Sequence, residues 1–163
     1  MPDLIVLGFK DTEAADKAVT ELDQAGKEGL ITIADWARVI RRADGKVDVR
    51  QAVSTTAAGA LGGTFWGMLF GLIFLMPLAG AAIGALTGAI SGKFTDVGID
   101  DSFIKGLGSQ IQPGTSALFV YVVQATADRV IERIRPLQPE VLRTSLPHDA
   151  EEKLKTALQA SES

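Results

Sequence analysis

Gly59-Ala-Leu-Gly-Gly63-Thr-Phe-Trp-Gly67-Met-Leu-Phe-Gly71 and Gly80-Ala-Ala-Ile-Gly84-Ala-Leu-Thr-Gly88-Ala-Ile-Ser-Gly92 are two glycine ladders with i, i+4 spacing. On a helix that spacing aligns each ladder on one face. The apolar stretch Leu72-Ile-Phe-Leu-Met-Pro-Leu-Ala79 joins them, and no charged side chain occurs from Gln51 to Gly92. Glycine costs about 1 kcal/mol relative to alanine in a water-exposed helix, so the ladders make little sense there. In an apolar medium a smooth glycine face lets helix backbones approach closely. The stretch therefore reads as a glycine-zipper helical hairpin, lodged in a membrane or in the apolar core of an oligomer.

Outside the hairpin the chain is ordinary. It has 163 residues and carries all of its Lys, Arg, Asp and Glu outside the stretch just quoted. That segregation implies a soluble domain of about 100–150 residues with an apolar insert. A net charge of −4 argues against nucleic-acid binding. The absence of cysteine excludes disulfides, thiol catalysis and cysteine-held metals. Leu4 to Phe9 is short, follows Asp3 and lacks a basic leader, so it is not read as a secretory signal.

Leu4-Ile-Val-Leu-Gly-Phe9 reads instead as a buried strand. Asp11 and Thr12 are cap candidates for a helix carrying Ala14, Ala15, Ala18, Val19 and Leu22, with Gly26 as its stop. Leu30 to Arg42 alternates, Asp44-Gly45 signals a hairpin turn, and Lys46 to Gln51 alternates again. Beyond the insert, Asp100-Asp101 caps a helix running to Ile111, and Ser116 to Val123 is strand-like. Ala125 to Arg135 is an amphipathic helix stopped by Pro136, and Ala150 to Ala160 is a short charged helix.

The expected fold class is α+β. A ferredoxin-like βαββαβ domain occupies residues 1–50 and 94–135. The two-helix glycine-zipper hairpin, residues 51–93, interrupts the connection from the third strand to the second helix. Residues 136–163 form an extended tail with a short helix. Both ends of the hairpin are expected on the same side of the domain.

The first arm, roughly residues 52–75, matches the ~20 apolar residues a bilayer span needs. The second, roughly 78–93, covers only about 24 Å and must tilt, thin the bilayer or re-enter. Arg38, Arg41, Arg42, Lys46 and Arg50 precede the hairpin and Lys93 follows it, which places the soluble domain in the cytoplasm by the positive-inside rule. Arg50 and Lys93 are the membrane-interface residues. The oligomer interface is expected at Gly59, Gly63, Gly67, Gly71, Gly80, Gly84, Gly88 and Gly92. The second arm is too poor in large side chains for a lipid-facing surface, which implies burial against neighbouring subunits of a homo-oligomer.

His148 is the only histidine and sits in the tail, the position of a solvated residue. Gly88-Ala-Ile-Ser-Gly-Lys93 is one residue short of a phosphate-binding loop, and Phe94 stands where a Ser or Thr would hold magnesium. Asp100 and Asp101 read as helix caps. Asp35, among alternating apolar residues, reads as an edge-strand charge or a partner for Arg41 or Arg50.

Several of these segments together resemble a bacterial family of uncharacterised predicted membrane proteins. The resemblance rests on Asp35-Trp-Ala-Arg-Val-Ile-Arg-Arg-Ala-Asp-Gly-Lys-Val-Asp-Val-Arg-Gln51, the glycine zipper, Ala117-Leu-Phe-Val-Tyr-Val122, Arg143-Thr-Ser-Leu146 and Ala150-Glu-Glu-Lys-Leu154. It implies a ferredoxin-like domain carrying a glycine-rich hydrophobic hairpin, membrane association, and an accessory or stress-associated role. It implies no catalytic residues.

The expectation is thus a non-enzymatic, self-assembling protein of the bacterial inner membrane. Its partners are copies of itself and lipid, with no nucleic acid, cofactor or metal and no known small-molecule substrate. Two alternatives remain open: a soluble cytoplasmic shell or filament with the hairpins packed in its core, and a ligand-binding regulatory module.

Overall fold

The computed structural model of the chain describes residues 3–51, 69–71, 73–74 and 107–159. Its centre is a five-stranded antiparallel sheet in the order β3-β2-β4-β1-β5. In chain order the elements are β1 (Asp3–Phe9), α1 (Ala14–Lys27), β2 (Ile31–Arg41), β3 (Val47–Gln51), α2 (Leu107–Gln110), β4 (Thr115–Ala125), α3 (Ala127–Ile134), a 3-10 turn (Arg135–Leu137), β5 (Glu140–Thr144) and α4 (His148–Gln159).

β1 and β4 lie inside the sheet, and both read as near-continuous apolar runs because both of their faces are covered. Period-2 alternation divides their side chains between two cores. Leu4, Val6, Ala117, Phe119 and Tyr121 point to one face, together with Ala37 and Val39 of β2. Leu7, Phe9, Leu118 and Val120 point to the other, where α1, α3 and α4 pack. β1 and β2 are parallel with β4 between them, and α1 makes their crossover. In the same way β4 and β5 are joined through α3, with β1 between them.

α1 presents Ala14, Ala15, Ala18, Leu22 and Ala25 to the sheet, a mostly small-residue stripe that allows a close seat. Asp11 Oδ1 accepts from the backbone amides of Glu13 (2.9 Å) and Ala14 (2.7 Å), so the expected cap residue satisfies two donors at the helix start. The helix passes the expected stop at Gly26 and runs to Lys27. Gly29, at φ +79°, ends it. The Gly29 amide donates to Gly26 O and the Leu30 amide to Ala25 O, a pair of bonds that requires a left-handed residue at Gly29.

The Asp44-Gly45 turn joins β2 to β3 as expected. Gly45 takes φ +89°, its amide donates to Arg42 O, and Asp44 Oδ1 accepts from the Lys46 amide. β3 pairs only with Ala37 to Arg41 of β2 and forms one edge of the sheet.

Two segments differ from the expectation. Residues 140–144, within the stretch read as an extended tail, form β5 and close the other edge by pairing with β1. Among the described residues, helix α2 covers only Leu107–Gln110 of the span expected from Asp100 to Ile111. Gln51 lies opposite Ala37, whereas Arg41, opposite Val47 at the other end of the β2–β3 pair, binds the carbonyls of α2. The expected C-terminal end of the hairpin, Gly92 and Lys93, lies outside the described residues.

Candidate functional site

The sheet face opposite α1 and α3 is covered by Leu69, Phe70, Ile73, Leu107 and Ile111. Leu69, Phe70 and Ile73 are helical and buried, and they join Leu107 and Ile111 in one core with Leu4, Val6, Val39 and Phe119. Spacing of i, i+1 and i+4 places Leu69, Phe70 and Ile73 on one helix face. Phe70 meets Phe119 edge to face, with ring centroids 4.9 Å apart and an interplanar angle of 89°. Such a pair adds about 0.5–1.5 kcal/mol beyond its buried area.

Arg41 fastens this cover at the end of β2. Its position follows from the strand period, which puts it on the same face as Ala37 and Val39. Nη1 donates to Gly108 O at 3.0 Å and to Ile111 O at 2.9 Å. Those are carbonyls at the end of a short helix, where helical partners run out. The guanidinium also lies 5.6 Å from the centre of the Phe74 ring, within cation–π range. One side chain thus contacts both Phe74 and α2. Arg143 Nη1 adds a bond to Gln110 Oε1 at 2.6 Å, tying α2 to β5.

Gly108 permits α2 to pass close to Ile73. A Cβ there would lie 2.4 Å from the Ile73 carbonyl oxygen, a backbone atom that cannot give way. Gly71 behaves differently. Among the described residues, nothing stands within 4 Å of where its Cβ would be. Of the expected interface glycines only Gly71 is described; Gly59, Gly63, Gly67, Gly80, Gly84, Gly88 and Gly92 lie outside the described residues, as does Lys93.

Arg50 is exposed on β3, directly opposite Arg38 on β2. Arg38 itself is buried on the helix-covered face, where Nη1 bonds both carboxylate oxygens of Asp16 at 3.0 Å and Nη2 stands 3.6 Å from Asp48. Asp35 sits one strand in from the edge, at a register shift in β2 beyond the part that β3 covers. Its Oδ1 accepts from the Trp36 amide at 2.9 Å. The expected Arg41 partnership goes to α2 carbonyls instead. His148 starts α4 with its side chain exposed, and Asp100 and Asp101 lie outside the described residues.

Sequence reasoning singled out neither Arg41 as a clamp nor Gly108 as a crossing point. By sequence Arg41 reads as a basic flanking residue and as a partner for Asp35. The usable signal was its strand parity with Val39, which aims it at the same face as the buried apolar residues.

A family model described as "Protein of unknown function (DUF1269)" matches residues 60–159. The chain belongs to that family. The matched span begins inside the first glycine ladder and includes Leu69, Phe70, Ile73, α2, β4, α3, β5 and α4. No curated protein and no solved structure matches the chain. Among the described residues no helix is long and apolar enough to cross a membrane.

Proposed function

We propose that this DUF1269 protein is a non-enzymatic, self-assembling, membrane-associated protein. Its glycine-laddered stretch inserts and oligomerises, and its sheet domain stays on the cytoplasmic side of the inner membrane. The observation that carries the reading is the charge-free run from Gln51 to Gly92 with its two i, i+4 glycine ladders.

Within this proposal the domain is ferredoxin-like, with an assignment that differs from the expected one. β1, α1, β2, β4, α3 and β5 supply the βαββαβ order, and β3 is an added edge strand preceding the insert. The order β2-β4-β1-β5 and the two interleaved crossovers support this assignment.

A second reading is a soluble assembly in which the hairpins pack against protein. The burial of Leu69, Phe70 and Ile73 in the domain favours it, because residues in a protein core do not face lipid at the same time.

Alkaline carbonate washing of membranes from cells making the full chain separates the two. Retention in the pellet until detergent is added is the expected result. Release by carbonate, or recovery as large particles without detergent, overturns the membrane reading in favour of the soluble assembly. In either setting Gly63→Leu and Gly84→Leu are expected to break the assembly; normal assembly of both removes the zipper interface.

A further inference from the structure

The helix-covered side of the sheet contains a cavity of about 490 Å³ between the sheet, α3 and α4, a size typical of small-molecule sites. It is graded along its length. Four of the elements that line it, β1, β4, α3 and α4, each contribute a polar residue toward one end and a buried apolar one toward the other. β1 runs from the half-buried Asp3 to Leu7, 4% exposed. β4, antiparallel to it, runs from Val120, 3% exposed, out to the exposed Gln124. α3 goes from exposed Asp128 to Ile134, and α4 from exposed Lys153 to Leu158.

Antiparallel pairing places Asp3 opposite Val122, so the start of β1 and the end of β4 share one end of the sheet. α3 follows β4 at that same end, which puts Asp128 beside them. The result is a pocket with an apolar floor and a charged mouth. Among the described residues, Asp3, Asp128 and Lys153 form no salt bridge with any other group.

We propose that this cavity binds a single-chain amphiphile, with its alkyl chain against Leu7, Ile134 and Leu158 and a positively charged head at the mouth. The apolar floor selects the chain by burying methylenes. Two carboxylates against one ammonium select the sign of the head. The proposal is independent of the membrane reading, since the cavity lies on the sheet face away from Leu69, Phe70 and Ile73.

The test is photo-crosslinking of the full chain in its native membrane or particle form. The probes are a diazirine-bearing dodecyltrimethylammonium and the matching dodecanoate, with labelled peptides mapped by mass spectrometry. The ammonium probe is expected to label the peptides holding Ile131 and Leu158 several-fold more than the carboxylate probe. Affinity is expected to rise roughly fourfold per added methylene. Ala157→Trp, which fills the cavity from α4, should abolish that labelling. Should Ala157→Trp impair folding, the exposed Asp128→Lys still decides the matter, because it should reverse the preference in favour of dodecanoate. Labelling confined to residues 52–92, equal labelling by both probes, or a preference unchanged by Asp128→Lys overturns the proposal.

Discussion

Gly108 and Ile73 cross so closely that a methyl group on Gly108 would sit 2.4 Å from the Ile73 carbonyl oxygen. The opposing atom is backbone, so rotamer adjustment cannot relieve the clash. Gly108→Ala is expected to cost about 1–3 kcal/mol, the usual range for overpacking, in urea unfolding of the full chain. Gly71→Ala is the matched control, since the described structure leaves open space around it. It should be neutral or gain up to about 1 kcal/mol from helix propensity. Equal tolerance of both changes would show that Ile73 does not sit against α2.

Arg41 serves two carbonyls and one aromatic ring from a single guanidinium. Arg41→Ala removes two charge-assisted hydrogen bonds and should destabilise the fold by about 2–3 kcal/mol. Arg41→Lys keeps the charge but loses the fork geometry and should recover less than half of that. Limited proteolysis after Leu69–Phe74 offers a local readout. Cleavage there should accelerate in both variants before cleavage at α1 does.

Ser116 is 1% exposed and joins α1 to β4. Its Oγ donates to Asp11 O at 2.7 Å and accepts from the Ala15 amide at 3.3 Å. Ser116→Ala leaves the buried Ala15 amide and the part-buried Asp11 carbonyl without that partner, at a cost of about 1–3 kcal/mol. Amide exchange at Ala15 should speed up well beyond the global change. If exchange there is unaltered, the hydroxyl does not hold the helix start.

The Arg38 guanidinium is 9% exposed, against 45% for Asp16 and 41% for Asp48. Breaking a buried pair from one side typically costs 3–5 kcal/mol, but solvent reaches both carboxylates and reduces this. Asp16→Ala is expected to cost about 1–2 kcal/mol. Arg38→Met, which removes the buried charge with its partners left in water, should cost less. The reverse order in denaturant titrations would mean that Arg38 contributes mainly through the bonds it makes.

Much of the sheet was legible because its signals are local. Leu4 to Phe9 and Ser116 to Val123 announce strands by continuous apolar character, and Asp44-Gly45 names its own turn through the positive φ at Gly45. β5 was not legible. Glu140–Thr144 is short, follows Pro136 and Pro139, and acquires strand form by pairing with β1, more than a hundred residues earlier. Its placement depends on Val141 and Leu142 filling opposite cores, with Leu142 occupying the space over Gly8. No window along the chain contains that information.

The covered sheet face was hidden for a related reason. Leu69, Phe70 and Ile73 have the composition of a lipid-facing helix, and only the three-dimensional position of Phe119 and Arg41 shows what they meet in the fold. Hydrophobicity reports that a side chain leaves water and is silent about whether protein or lipid receives it.

The interleaving of the two crossovers has a consequence for biosynthesis. β1 and β2 are not neighbours, and each depends on β4, which the ribosome makes only after the whole glycine-rich stretch. The N-terminal third of the nascent chain therefore has α1 and the β2–β3 hairpin but no sheet to join. Emergence of the apolar stretch precedes closure of the domain that will hold it. In that interval residues 52–92 are synthesised before the strand that completes the sheet exists, so Leu69 and Phe70 emerge before Phe119, the ring that Phe70 meets in the folded core.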